Sequence, residues 1–247
     1  MKKMIVILGV LLVLTSMSFA YKILCAFAVP SNYLTYWVNQ LKTQPDMTTV
    51  DAWDMNTQGI PSLATLQTYD GVMTSSDNAY SDPTTWGDRL ADYVDSGSKR
   101  SVILVTFAYG GIPNCGIKGK IAVTPYSPLT VADGQYSGSG ATLNVAAPDI
   151  PGHPILSGVS SLTCTYYNTN RPLTACGVSV CKWTNGQMGI AFSKSKRVVG
   201  FTGYPGGTGS WWTGQYPLMI RNAFVWMFGN WTSVEPSSLG DIKALFK

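Results

Sequence analysis

Three groups of residues in this chain are of types that do chemistry. The first is a thiol and an imidazole. Cys115 sits in the Gly-rich stretch Asn114-Cys115-Gly116, and His153 is the only histidine. A thiolate becomes a nucleophile when an adjacent base or positive charge activates it, and Lys118 and Lys120 lie near Cys115 in sequence. Nothing in the sequence fixes His153 beside that thiol. Gly152-His153-Pro154 reads instead as a turn before a short apolar segment. The second group is four carboxylates, Asp54, Asp77, Asp82 and Asp88. Asp54 and Asp77 each follow an expected strand, which puts them at the carboxyl edge of a sheet, where open α/β sheets bind ligands. Such a pair could do acid–base work or hold Ca²⁺ with backbone oxygens. The commoner use of such residues is to cap helices and satisfy loop amides, and Asp82-Pro83 reads as a helix start. The third group is aromatic. Tyr109 follows a buried strand, and Tyr204-Pro205-Gly206-Gly207-Thr208-Gly209-Ser210-Trp211-Trp212 follows the last one. Rings on Gly-rich loops stack on the apolar faces of sugars, bury themselves in protein partners, or fold back onto their own domain. Asp54, Asp77, Tyr109, Tyr204, Trp211 and Trp212 are therefore the candidate binding residues.

One group is missing where it would matter most. Val102-Ile103-Leu104-Val105-Thr106-Phe107 is almost wholly apolar, as a strand buried on both faces should be. Enzymes with a nucleophile elbow carry that nucleophile on the sharp turn straight after such a strand. Here the turn reads Ala108-Tyr109-Gly110-Gly111, with neither Cys nor Ser. There is no GxxxxGK[ST] and no GxGxxG between strand and helix, so no phosphate loop is expected. With no CxxC pair and one histidine, zinc is not expected either, and no cofactor is implied.

The elements that must position these residues alternate. Residues 22–29 read as a strand. A helix follows over 32–41 with Tyr33, Trp37 and Leu41 on one face and Ser31 as N-cap. A second strand is expected over 48–55, a short helical turn over 62–67, and a third strand at 71–74 running into Ser75-Ser76-Asp77. Trp86, Leu90, Tyr93 and Val94 recur at helical spacing between Pro83 and Ser96. Alternating βαβα with apolar strands predicts a parallel sheet covered on both faces. Residues 110–152 are rich in Gly, Pro, Ser and Thr and read as a long excursion with one short strand at 141–145. Antiparallel strands are expected at 163–167, 178–183 and 188–192, with Asn185-Gly186 as the tight turn between the last two. A buried strand at 197–202 and a closing helix at 216–228, stopped by Gly229, complete the domain. A final turn is expected at 242–246.

Lys2 and Lys3, the apolar run from Ile5 to Leu14, and Ser18-Phe19-Ala20 form a secretory signal peptide over residues 1–20. Its apolar part is too short to span a bilayer comfortably. The organisation expected is thus 1–20 signal peptide, 21–231 one α/β domain, and 232–247 a polar tail. The chain should be secreted, to the extracellular space, periplasm or cell surface. Losing the two lysines drops the formal charge from +4 to +2, and only 12% of residues are charged. That argues against nucleic acid and anionic membrane as partners. Asn230-Trp231-Thr232 matches a glycosylation sequon. Five cysteines in an exported chain permit disulfides with one thiol left over: Cys176 with Cys181 across a hairpin, or Cys164 with either. Cys25 reads as a buried small apolar residue.

Four stretches together resemble the class I glutamine amidotransferase-like superfamily: Tyr69-Asp70-Gly71-Val72 leading to 87–97; 153–159; Trp183-Thr184-Asn185-Gly186 followed by 197–201; and Trp212 with 216–218 and 222–226. Within it the chain is most similar to secreted, ThuA-like or otherwise non-catalytic members. The resemblance implies a flavodoxin-like three-layer α/β domain, here with antiparallel strands added in the second half. Catalytic members carry G-x-C-x-G at the elbow with a distant His and an acidic partner. Phe107-Ala108-Tyr109-Gly110-Gly111 keeps only the last Gly, and Cys115 comes several residues too late. The function expected is an exported non-catalytic domain binding glycan or protein at a cell surface or in a matrix. One alternative is a hydrolase with a non-standard site. The other is a self-assembling extracellular structural protein.

Overall fold

The computed structural model describes residues 20–207 and 209–229. The first 19 residues of the expected leader, the Asn230 sequon and the tail with its expected turn at 242–246 lie outside the described residues. In chain order the strands are β1 (Lys22–Ala28), β2 (Thr49–Asp54), β3 (Gly71–Ser76), β4 (Ser101–Val105), β5 (Tyr136–Ser137) and β6 (Ala141–Thr142). They continue with β7 (Leu162–Cys164), β8 (Tyr167–Asn168), β9 (Gly177–Lys182), β10 (Met188–Ser193), β11 (Val198–Phe201) and β12 (Trp212–Gly214). The helices are α1 (Ser31–Lys42), α2 (Met55–Gln58), α3 (Leu63–Leu66), α4 (Pro83–Asp95) and α5 (Tyr216–Gly229).

The main sheet has seven strands in the order β2-β1-β3-β4-β11-β10-β9. The first five are parallel, and β10 and β9 extend the sheet antiparallel. The parallel part runs 2-1-3-4-5, the flavodoxin-like order. Period-2 alternation divides its side chains between two cores. Ile23, Cys25, Phe27, Ile103 and Val105 join Trp37 and Leu41 of α1 and Ile220 and Phe224 of α5 on one face. Leu24, Ala26, Val102 and Leu104 join Trp86, Leu90 and Val94 of α4 on the other. Strands buried on both faces must be apolar at every position, which is why these read as continuous runs.

The helix ends differ from the sequence reading in one place. Asp82 caps α4 as expected, accepting from the Thr84 and Thr85 amides. Ser31 does not cap α1: Pro30 holds that position without a side-chain cap. The Ser31 hydroxyl donates instead to Asp54 at 2.7 Å.

The second half departs further. The β9–β10 hairpin turns at Asn185-Gly186 as expected, with Gly186 at φ 83°. The segment 163–167 is not a third strand of that sheet. β7 instead pairs with β12 and β6 in a separate three-stranded sheet. β8 pairs with β5, matching Tyr136 to Asn168. The disulfides expected among Cys164, Cys176 and Cys181 are not formed, and all five cysteines are free and buried. For Cys176 and Cys181 the reason is geometric. They bracket most of β9, and an extended strand rises about 3.3 Å per residue. Their Cα atoms stand far beyond the ~7 Å that a disulfide can bridge. Among the described residues no helix is long and apolar enough to cross a membrane. No group of three His, Cys, Asp or Glu is placed to hold a metal ion there either.

Candidate functional site

In the order 2-1-3-4-5 the chain reverses direction across the sheet between β1 and β3, and the loops leaving those two strands open a crevice. Asp77 stands there. Its amide and that of Asn78 both donate to the Ala28 carbonyl at 2.8 Å, which ties the end of β3 to the end of β1. Its carboxylate accepts from the Tyr204 hydroxyl at 3.0 Å. Tyr204 is delivered by the loop after β11, and its amide donates to the Tyr166 carbonyl at 2.8 Å.

Around this pair the aromatic residues form a box. Phe107 stacks on Tyr204 with centroids 5.1 Å apart and meets the edge of Tyr136 at 5.3 Å. Trp211 lies 5.2 Å from Tyr166 and 6.1 Å from Tyr204. Tyr33 of α1 and Ile112 complete a pocket of about 240 Å³. That is below the ~300–1,000 Å³ of drug-sized sites, so it suits one small unit of a ligand. The pocket depends on two glycines. Gly206 lies at φ 55°, where a side chain would also strike Trp211, and a Cβ on Gly207 would come within 1.8 Å of the Tyr33 ring.

Burial and the charge of Asp77 govern the ionisations beneath the pocket. Tyr204 is held far above the usual phenol range, first by burial and then by the Asp77 carboxylate. The Cys115 thiol packs against Phe107 and Tyr204 and is pushed up to about 11, again by burial first, with Asp77 and Asp133 adding to it. A thiol in that state is not a nucleophile at neutral pH. His153 belongs to a different part of the core. Its ring meets Trp226 at 4.8 Å and Phe192 at 5.5 Å, and its Nδ1 accepts from the Ile155 amide at 3.2 Å. Burial pushes its pKa down to about 3. The Cys115–His153 pair that the sequence allowed is thus not assembled.

Of the six candidate binding residues, the structure brings together Asp77, Tyr204 and Trp211. Tyr109 is fully buried on the α4 side of the sheet, packed so closely on β11 that a Cβ at Gly200 would lie 2.1 Å from its hydroxyl. Trp212 turns into the core beside Trp37 at 5.7 Å and Tyr216 at 6.0 Å. Asp54 is the N-cap of α2, accepting from the Asn56 amide at 2.9 Å and from Ser31. Those hydrogen bonds outweigh the opposing effect of its burial and leave its pKa lowered. Asp88, weighed with the other carboxylates, accepts from the Lys120 amide at 2.7 Å, away from the pocket.

Sequence reasoning missed Tyr33, Phe107, Ile112, Tyr136 and Tyr166. One signal was available. In the pairs Tyr166-Tyr167 and Trp211-Trp212, one ring of each lines the pocket while the other packs inward. Doublets of this kind mark segments that separate a core from a surface.

The fold and the crevice define a flavodoxin-like α/β protein with an aromatic pocket at its strand-order reversal. No family model matches the chain, and no curated protein does. Among solved structures it is similar to a Thermoplasma acidophilum protein that carries a provisional name as the first component of GMP synthase, at 14% identity and a TM-score of 0.49. The match covers 84% of this chain and 94% of that one.

Proposed function

We propose that the protein is an exported, non-catalytic binding module that takes a glycan unit into the pocket at the ends of β1, β3, β4 and β11. In this reading it is a ThuA-like, secreted member of the class I glutamine amidotransferase-like superfamily that has given up the elbow nucleophile. The observation that carries the reading is the box of Tyr33, Phe107, Tyr136, Tyr166, Tyr204 and Trp211 around a single carboxylate. Sugar rings have apolar C–H faces and polar rims. Aromatic faces meet the first, and Asp77 with the tyrosine hydroxyls meets the second. The signal peptide read from residues 1–20 puts such a pocket where glycans are abundant. The neutral, buried thiol of Cys115 favours binding over acyl transfer.

The test is retention on a glycan array by the full-length chain and by Trp211→Ala. Trp211 stands at the rim, half-buried, so its truncation spares the core. Specific retention that falls about tenfold in the variant supports the reading. Equal retention of both proteins, or none of either, sinks it.

A further inference from the structure

We infer that the group seated against Asp77 is a protonated amine, so that the sugar taken by the pocket is an amino sugar with a free ammonium. This rests on the glycan reading above and adds the charge of the ligand to it.

Three observations point the same way. Asp77 is the only Asp, Glu, Lys, Arg or His among the described residues lining the pocket. It takes part in none of the ion pairs among the described residues, which involve Asp46, Asp70, Asp92, Asp95 and Asp149. Its one side-chain hydrogen bond comes from Tyr204, a neutral donor, so its negative charge is left without a cation. That charge stands between rings rather than in open water, where its interaction with an incoming cation is screened less. The walls add to the effect. Phe107, Tyr166, Tyr204 and Trp211 present π systems that attract an ammonium, most strongly where it is desolvated. A uronic or sialic acid would instead bring a second carboxylate beside Asp77, and an N-acetyl group would bring no charge. The pocket is also broad, about 240 Å³ between ring walls, which suits a cyclic amine-bearing unit better than the thin stem of a lysine side chain.

The experiment is calorimetric titration of the full-length chain at pH 5.5, where both carboxylate and amine are ionised. The probes are β-1,4-linked glucosamine oligomers, N-acetylglucosamine oligomers and glucose oligomers of equal length, with N-acetyl-lysine methylamide as a non-sugar amine. Each is repeated with Asp77→Asn, which keeps an oxygen to accept from Tyr204 but removes the charge. The expected result is a preference of about tenfold or more for the glucosamine oligomer. That preference should weaken with salt and vanish in Asp77→Asn, while binding of the uncharged sugars persists. Equal affinities for the three sugars, or a preference unchanged in Asp77→Asn, overturns the ammonium assignment and leaves the pocket as a neutral-sugar site. Binding of the lysine derivative as tight as that of the glucosamine oligomer overturns the amino-sugar assignment. Absence of binding by any of the sugars overturns the glycan reading along with it.

Discussion

His153 shows how a residue of catalytic type can be held for structure alone. Its imidazole is wedged between Phe192 and Trp226, and its pKa is pushed down to about 3 from an ordinary 6.5. The folded state therefore holds the ring neutral at pH values where the unfolded chain binds a proton. Unfolded molecules gain that proton as pH falls below 6.5, so stability is full above that value. It declines as pH drops toward 3 and stops declining on this account below it. Between pH 7 and pH 5 the loss should reach about 2 kcal/mol. Carboxylates with pKa values near or below 4 contribute little in that interval. Because the chain has a single histidine, its ring protons give one set of NMR signals. Those signals should not move between pH 8 and pH 5, and the unfolding free energy of His153→Gln should lose its slope over the same range. A histidine titrating near 6.5 would contradict the burial argument.

At the level of elements, the pocket depends on how the long excursion is tied to the parallel sheet. Asn168 of β8 is the tie. Its buried carboxamide accepts from the Thr106 hydroxyl at 2.9 Å and donates to the Gly110 carbonyl at 2.5 Å. It thereby clamps both ends of the turn that carries Phe107, while its register partner Tyr136 forms the facing wall. Removing the amide leaves a buried carbonyl without its donor, at a cost of about 2–3 kcal/mol. Asn168→Ala should lower the denaturation midpoint by that free energy, with glycan retention falling as Phe107 and Tyr136 separate. Unchanged stability would show that water replaces the amide without loss. The same turn explains why sequence reasoning misplaces one ring. The apolar run continues to Phe107, which makes Tyr109 the first ring expected at the edge. β4 ends at Val105, so Phe107 takes the edge and Tyr109 folds back beneath the turn. The strand is legible because burial on both faces demands apolar residues throughout. Where it stops depends on contacts with β8, more than 60 residues later, which no local pattern records.

Over the whole molecule, the same asymmetry separates what can be read from what cannot. The parallel sheet, α1, α4 and α5 follow from short-range periodicity, and the turn without a nucleophile is plain from the residues themselves. The small sheets β12-β7-β6 and β5-β8 are two- or three-residue pairings closed by distant partners, so the rings they aim at the pocket are invisible in sequence. The cysteines test this division directly. Their count and the expected export suggest covalent closure of the second half, whereas the fold buries each thiol separately. Burial pushes Cys181 up to about 12 and raises Cys25 and Cys164 further. None of these three is a competent thiolate for exchange at neutral pH. The stability of the second half must then come from packing: Trp183 on Tyr167 at 5.8 Å, its indole N–H on Thr202 at 2.8 Å, and Trp212 on Trp37. A native disulfide closing such a loop would contribute about 2–4 kcal/mol, so its presence would be hard to miss. Thermal unfolding of the purified chain should give the same midpoint with and without dithiothreitol. A thiol reagent added without denaturant should label next to nothing, and the same reagent in guanidinium should titrate all five cysteines. Fewer than five thiols in denaturant, together with a midpoint lowered by reductant, would mean that oxidation reshapes the β7–β9 region away from the packing seen here.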